Sequence, residues 1–106
     1  MIYLKLILVH FILDFPGQGQ FLSEAKNHTK PFPGIPWQWA MVAHSFIQAG
    51  GVWLVTGSLT FAIAEFLAHF VIDFLKCSGK ISFSTDQILH IFCKLIYAIV
   101  IHTHVA

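Results

Sequence analysis

A six-residue sequence that pairs a histidine with an aspartate occurs twice in this chain, each time within an apolar segment. The sequence HFILDF begins at His10 and HFVIDF begins at His69. Residues four apart lie on one face of a helix, about 6 Å apart along its axis. Ionisable groups are rare within long apolar segments, so such pairs indicate metal ligands or a polar catalytic cluster. The pairs are His10–Asp14, His69–Asp73 and, in reverse order, Asp86–His90.

With His44 added, the set provides four imidazoles and three carboxylates. These nitrogen and oxygen ligands suit zinc best and also manganese or iron, whereas copper(I) prefers sulfur and calcium prefers oxygen alone. Seven ligands would bind two ions about 3.5–4 Å apart, or one ion with some carboxylates orienting the histidines. The alternative without metal is a self-contained His–Asp hydrogen-bond network that joins helices. The predicted metal ligands are His10, Asp14, His44, His69, Asp73, Asp86 and His90.

Two further charged residues lie one helical turn from these pairs. Glu65 precedes His69 by four residues, and Lys94 follows His90 by four. Their simplest interpretation is an ion pair that satisfies both charges within an apolar segment. The alternative makes Glu65 a further ligand or a general base for metal-bound water, with Lys94 setting its charge state. Glu65 and Lys94 are therefore the candidate catalytic residues.

The composition is typical of a membrane protein. Of the 106 residues, 57% are hydrophobic and 10% are charged, with a formal net charge of +1 and a mean hydropathy of +0.74. A soluble domain carries about 25% charged residues. The chain has no arginine and no basic stripe, which argues against nucleic-acid binding. Cys77 and Cys93 match no disulfide framework or cysteine metal site.

Four apolar segments predict one all-α domain over residues 1–106, an integral membrane four-helix bundle with short transmembrane helices. The first helix is about 22 Å long against a hydrocarbon core of roughly 30 Å, so local thinning of the bilayer would accommodate it. Residues 16–36 are expected to form a polar interfacial loop, and Thr85 is the expected N-cap of the last helix. The predicted helices span residues 1–15, 37–57, 59–76 and 85–104.

The lysines orient this predicted bundle. Loops 16–36 and 76–84 share one side of the membrane and contain four of the six lysines. By the positive-inside rule, both loops face the cytoplasm and both termini lie outside a bacterial inner membrane. All seven candidate ligands then lie at nearly one depth, although they come from four helices. Inward-facing groups at one level of a four-helix bundle form metal or cofactor sites.

The motifs resemble those of a family of small bacterial and phage membrane proteins of unknown function. That family has an early H-F-x-x-D-F followed by glutamine and A-x-x-K, a mid-chain histidine, a second H-x-x-x-D followed by lysine, and a late D-Q-x-x-H. The resemblance covers almost the whole chain. The family is distantly similar to membrane-bound metal-dependent hydrolases, which implies hydrolase chemistry by analogy. The matching residues are His10, Asp14, Gln18 or Gln20, Ala25, His44, His69, Asp73, Lys76, Asp86, Gln87 and His90, and Lys26 follows Ala25 directly, outside the usual register of the A-x-x-K element.

These observations favour a membrane-embedded metal-dependent hydrolase that acts on a lipid or an amphiphilic phosphoester at the cytoplasmic leaflet. Aligned ionisable groups also mark ion pathways, so an ion or metal transporter or a proton relay is one alternative. Another is a non-enzymatic protein, bacterial or phage-encoded, that binds a host membrane complex. The expected partners are the lipid bilayer, an amphiphilic substrate, and a second copy of the chain or another membrane protein.

Overall fold

The computed structural model describes the backbone of residues 2–105 and the side chains of residues 2–103. This part of the chain is helical, and its β-structure is limited to one isolated bridge between Phe32 and Ile35. The predicted all-α class is confirmed. Met1, which the first predicted helix includes, and the side chain of His104 lie outside the described residues. The helices are α1 (Ile2–Asp14), α2 (Gly19–Ala25), α3 (Trp37–Thr56), α4 (Leu59–Cys77) and α5 (Phe83–Val105).

Helix α2 corrects the prediction that residues 16–36 form only a loop. A seven-residue helix is too short to show hydrophobic periodicity, and the glycines around it favour a loop interpretation. Helix α5 also begins two residues before its predicted start. The Ser82 hydroxyl accepts a hydrogen bond from the Thr85 N–H at 3.1 Å. Ser82 therefore caps α5, and the prediction that Thr85 is the N-cap is wrong.

The connection between α3 and α4 makes these two helices antiparallel neighbours. Helix α3 is followed by Gly57 in the left-handed conformation, with a φ of 68°. The next residue, Ser58, caps α4, because its hydroxyl accepts a hydrogen bond from the Phe61 N–H at 3.2 Å. A glycine at this position relieves the steric cost that a Cβ would introduce. The chain therefore reverses within two residues.

The four long helices pack in a closed ring. Helix α3 lies between α1 and α4, and α5 completes the ring by packing on α4 and α1, while α2 packs on α3. Helix α1 packs tightly against Gly51 of α3. A Cβ atom at Gly51 would lie 2.6 Å from Leu13 Cδ1 and 2.7 Å from Val9 Cγ1. This close approach brings the inner faces of all four helices toward one central space.

The core of this ring is apolar at one end and polar at the other. The apolar end is formed by Leu6, Val52, Tyr97 and Ala98. Each long helix then presents polar residues inward at spacings of three or four residues, as helical geometry requires for one face. The buried polar and charged residues are His10, Asp14, Lys26, His44, Ser45, Gln48, Glu65, His69, Asp73, Asp86, His90 and Lys94.

The outer surface of the ring is strongly apolar. Trp39 is 73% exposed, Phe46 is 70% exposed and Leu54 is 82% exposed. Further exposed leucine, isoleucine and phenylalanine side chains lie on all four long helices. Among the described residues, one helix segment, Phe83–Thr103, is long and apolar enough to cross a membrane by length and composition. Helix α1 has only 13 residues, and α3 and α4 contain many of the buried polar side chains.

Candidate metal centre

The polar end of the core contains all seven predicted metal ligands. Each of these residues is at most 8% exposed. The i, i+4 spacing of each His–Asp pair places both members on the inner face of their helix, as the sequence suggests. The contributions are His10 and Asp14 from α1, His44 from α3, His69 and Asp73 from α4, and Asp86 and His90 from α5.

Four of these residues, Asp14, His44, His69 and Asp73, form the central group. His44 Nε2 donates a hydrogen bond to Asp14 Oδ1 at 3.0 Å and lies 3.7 Å from Asp73 Oδ2. His69 Nε2 lies 3.9 Å and 4.0 Å from the same two oxygens. Ligand atoms of a tetrahedral zinc ion are about 3.3 Å apart, given bonds of about 2.0–2.1 Å. The ligand atoms of Asp14, His44 and His69 all lie within 4.8 Å of one another, so these three residues could hold one metal ion.

Within the central group, a hydrogen bond fixes the tautomer of the His69 ring. Its Nδ1 atom lies 3.2 Å from Glu65 Oε2. Because a carboxylate can only accept, Nδ1 carries the proton and donates it to this hydrogen bond. The opposite nitrogen, Nε2, then presents a lone pair to the central group, and it has no hydrogen-bond partner among the described residues. A carboxylate that orients a histidine in this way is typical of metal sites.

Glu65 and Lys94 form a buried ion pair. Lys94 Nζ donates to Glu65 Oε2 at 2.6 Å, and the Tyr97 hydroxyl donates to Glu65 Oε1 at 3.2 Å. Both Glu65 oxygens are therefore engaged with donors. Glu65, His69 and His90 could also be considered a ligand group by proximity. The Lys94 ammonium on Glu65 makes that group less suitable than Asp14, His44 and His69, because Asp14 makes no ion pair with a lysine among the described residues. The catalytic role of Glu65 and Lys94 stays a prediction.

The remaining predicted ligands, His10, Asp86 and His90, form the α5-side group together with Gln87. His90 Nε2 lies 3.2 Å from Asp86 Oδ1. The two atoms do not form a hydrogen bond, and both are buried without a partner among the described residues. Gln87 accepts a hydrogen bond from His10 Nε2 at 3.1 Å. The His90 ring stacks on His69, with 4.1 Å between their centroids, so the two groups are in contact.

Lys26 is the main residue of the site to which the sequence analysis gave no role. It is 1% exposed, and its Nζ donates to Asp73 Oδ2 at 2.5 Å. Lys76 Nζ lies 3.8 Å from the other oxygen of Asp73. The sequence analysis placed Lys26 in the polar interfacial loop 16–36, one residue after the Ala25 of the family pattern. Burial of Lys26 depends on helix α2, which the sequence did not indicate.

Gln87 was likewise part of a motif without an assigned role. Its amide nitrogen donates to Asp14 Oδ2 at 2.6 Å and to Asp86 Oδ2 at 3.1 Å. Gln48 donates to the backbone carbonyl of His10 at 3.4 Å, and the spacing of the histidines gave no indication of this contact. Gln87 thus joins side chains of α1 and α5, and Gln48 joins α3 to the α1 backbone.

The buried charges do not balance. Four carboxylates, Asp14, Glu65, Asp73 and Asp86, share the core with only two lysines, Lys26 and Lys94. With neutral histidines the core has a net charge of −2. An uncompensated buried charge is strongly unfavourable in a medium of low dielectric constant. One divalent cation would neutralise this core.

Residues 2–106 match a protein family described as a protein of unknown function, DUF3307. Because the match covers nearly the whole chain, the protein belongs to this family. No curated protein and no solved structure matches the chain significantly. The family description assigns no activity, so any functional conclusion depends on the geometry of the site.

Proposed function

We propose that this member of the DUF3307 family is an integral membrane protein that binds a divalent metal ion in its polar core and hydrolyses a lipid or an amphiphilic phosphoester at the cytoplasmic leaflet. The observation that carries this proposal is the inverted distribution of polarity. Charged and imidazole side chains fill one end of the core, while large apolar side chains cover the outside.

This inversion favours a membrane environment. Water-soluble proteins bury apolar side chains and rarely expose large contiguous apolar patches. Here Trp39, Phe46 and Leu54 are more than two-thirds exposed, whereas Glu65 and Lys94 are each 1% exposed. Lipid would solvate the exposed apolar side chains, and the ring of helices would shield Glu65 and Lys94 from that lipid. Helices α3, α4 and α5 are about 28–35 Å long, enough for a hydrocarbon core, and α1 is shorter at about 20 Å.

The central group supports metal binding within that environment. It combines two imidazole nitrogens with two carboxylate oxygens, a set that zinc accepts well and that manganese or iron also accepts. The tautomer of His69 directs an unpartnered lone pair into the group. With neutral histidines, the formal charge of −2 in the core would be balanced by one divalent ion. A hydrogen-bond network without metal would leave the Nε2 atoms of His69 and His90 unsatisfied.

The shape of the polar core favours catalysis over transport. The other end of the described core, past Glu65, consists of apolar side chains. Leu6, Val52 and Ala98 lie there and are all at most 7% exposed. An ion pathway needs polar groups along its whole length. The polar residues here occupy one end of the ring and stop at an apolar layer. A site of this kind is reached from one side of the membrane.

A substrate would approach between α1 and α5. Asp14 is 8% exposed, the largest value among the predicted ligands, and its partner Gln87 is partly exposed. Phe15 and Phe83 lie next to these two residues, are 47% and 54% exposed, and have ring centroids 6.1 Å apart. Aromatic side chains favour the interface between lipid and water, where the headgroup of an amphiphilic substrate lies.

The distribution of the lysines supports a cytoplasmic position for this entrance. The same end of the ring carries Lys30 and Lys80, which are exposed, and Lys76, which is partly exposed. Positively charged segments remain in the cytoplasm during membrane insertion. They also attract anionic headgroups, because a lysine near the surface contributes about 1 kcal/mol of attraction to an anionic leaflet.

The residues of the core would have distinct roles in hydrolysis. A metal ion in the central group would supply Lewis-acid chemistry, polarising a phosphoryl oxygen and lowering the pKa of a water molecule. His44, His69 and Asp14 would hold the ion, and Glu65 keeps the His69 ring in the required tautomer. Lys94 neutralises Glu65, so that the extra carboxylate does not add to the negative charge of the core.

Turnover measurements on metal-loaded protein in detergent test this function. The substrates are mixed phospholipid vesicles and the chromogenic diester bis(p-nitrophenyl) phosphate. We expect hydrolysis that stops on chelation, and a loss of at least about 100-fold in His69→Ala. His102→Ala is the matched control, because His102 is exposed on α5 outside the core. Equal turnover in His69→Ala and the wild type, or turnover that persists after chelation, contradicts the proposal.

A further inference from the structure

The two oxygens of Asp14 face different ligand groups. Oδ1 lies 3.0 Å from His44 Nε2 and 3.9 Å from His69 Nε2, both in the central group. Oδ2 lies 3.9 Å from His10 Nε2 and receives the Gln87 amide at 2.6 Å, both in the α5-side group. A carboxylate in this position can bind one ion with each oxygen. Bridging carboxylates of this kind hold paired metal ions about 3.5–4 Å apart.

The α5-side group has the features of a ligand set in its own right. Asp86 Oδ1 and His90 Nε2 are 3.2 Å apart, which matches the separation of two neighbouring ligand atoms on one metal ion, about 3.3 Å. Both residues are at most 2% exposed, and neither atom has a hydrogen-bond partner among the described residues. The His10 ring lies beside them, with its centroid 5.1 Å from that of His90.

We infer that the core binds two divalent cations, one in the central group and one in the α5-side group, with Asp14 bridging them. This inference rests on the proposed metal-dependent function and specifies its site. The second ion would take Asp86 and His90 as its direct ligands, and Gln87, which contacts both Asp14 and Asp86, connects this pair to the bridging carboxylate. Zinc and manganese fit both positions, because each combines imidazole with carboxylate.

The Gln87 side chain contacts two carboxylates at the proposed position of the second ion. Its amide nitrogen donates to an oxygen of Asp14 and to an oxygen of Asp86 at the same time. A single neutral donor thereby separates two carboxylates that would otherwise repel each other. A cation at this point would satisfy both carboxylates more fully, and the Gln87 amide would move aside.

Because of the charge of the core, binding of the second ion should be coupled to binding of an anionic substrate. One divalent ion neutralises the net charge of −2, and a second ion brings the core to +2. A phosphomonoester or phosphate dianion would restore neutrality and a phosphodiester would reduce the charge to +1, so the two-ion state and the anion stabilise each other. This coupling favours phosphoesters over neutral lipid esters as the substrate class.

Manganese titration followed by electron paramagnetic resonance tests this inference. Wild-type protein in detergent is titrated with Mn²⁺ in the presence of a low concentration of inorganic phosphate, which supplies the anion. We expect two bound ions per chain and an exchange-coupled spectrum, because ions that share a carboxylate interact magnetically. Saturation at one ion, or two ions with the spectrum of isolated Mn²⁺, overturns the inference and leaves single-ion function intact. No bound Mn²⁺ overturns both.

Two variants assign the second position to its ligands. His90→Ala and Asp86→Asn should each retain one ion per chain and lose the coupled signal. His28→Ala is the control, because His28 contacts Ser78 and Phe74 outside the core, and it should retain two ions. Two coupled ions in His90→Ala would overturn the assignment. If either variant fails to fold, the wild-type spectrum still decides the question.

Discussion

His69 Nδ1 and Glu65 Oε2 are 3.2 Å apart, and this contact determines which nitrogen of the His69 ring faces the central group. The interaction joins two residues one turn apart on α4. It also links the site to the deeper layer of the core, because Lys94 donates to the same Glu65 oxygen at 2.6 Å. Glu65 therefore stabilises both a histidine orientation and a buried ammonium.

Removing the carboxylate of Glu65 should weaken metal binding through His69. Glu65→Leu is combined with Lys94→Met, because a lone Lys94 would leave an uncompensated buried charge. We expect the metal affinity of this double variant to fall by about 10–100-fold, the typical effect of losing a residue that orients a metal-bound histidine. Isothermal titration calorimetry with Zn²⁺ measures this affinity.

Glu65→Gln with Lys94→Met is the matched control. The glutamine oxygen can still accept from His69, so its metal affinity should stay within a few-fold of the wild-type value. Wild-type affinity in the leucine double variant would exclude an orienting role. Loss of turnover in the glutamine double variant at full metal occupancy would instead identify Glu65 as a general base.

Lys26 should compete with the metal ion for Asp73. Its ammonium donates to the Asp73 oxygen that faces His44 and His69. Lys26→Met leaves the core more negative, so we expect tighter Zn²⁺ binding, on the order of 10-fold, and a larger rise in melting temperature when Zn²⁺ is added. Lys30→Met is the control, because Lys30 is exposed in the same loop. Weaker binding in Lys26→Met would show that Lys26 supports the ion.

The packing of α1 on α3 should depend on Gly51 and not on its neighbour Gly50. A methyl group at Gly51 would meet Val9 and Leu13 at less than 3 Å, whereas none of the surrounding atoms lies within 4 Å at Gly50. Both changes gain similar helix propensity. We expect Gly51→Ala to be less stable than Gly50→Ala by about 1–3 kcal/mol, the usual effect of overpacking, by thermal unfolding in detergent. Equal melting temperatures would contradict this packing.

The proposed orientation can be tested with single cysteines. The background carries Cys77→Ser and Cys93→Ser, and the probes are Lys80→Cys and His102→Cys, both at exposed positions near opposite ends of the ring. We expect an impermeant maleimide to label His102→Cys in intact cells and Lys80→Cys only after lysis. The reverse pattern would place the site on the outer face. Labelling of both in intact cells would contradict membrane embedding.

The sequence was sufficient to predict the long helices and the residues that meet in the core. The i, i+4 spacing of His10 with Asp14 and of His69 with Asp73 places each pair on one helical face, and apolar segments predict helices whatever their tertiary partners. The predicted boundaries of the four long helices agree with the observed ones to within two residues. The capping of α5 by Ser82 was missed because Ser82 and Thr85 are equally good caps by residue type.

The contacts between elements distant in sequence could not be predicted. Lys26 reaches Asp73 across 47 residues, and Gln87 reaches Asp14 across 73. Such contacts depend on how α2 and α5 pack, which local patterns do not encode. Polar residues in the core also lower the hydropathy of α3 and α4. The same side chains that form the site thus weaken the membrane signal of the helices that carry it.

The metal content of the purified protein tests the central claim most directly. Protein is extracted in detergent without added metal and measured by inductively coupled plasma mass spectrometry, together with Asp14→Asn and the control His102→Ala. We predict at least one equivalent of zinc, manganese or iron per chain in the wild type and the control, removed by chelation and strongly reduced in Asp14→Asn. Wild-type protein that is free of metal and does not bind added Zn²⁺ or Mn²⁺ would contradict the account.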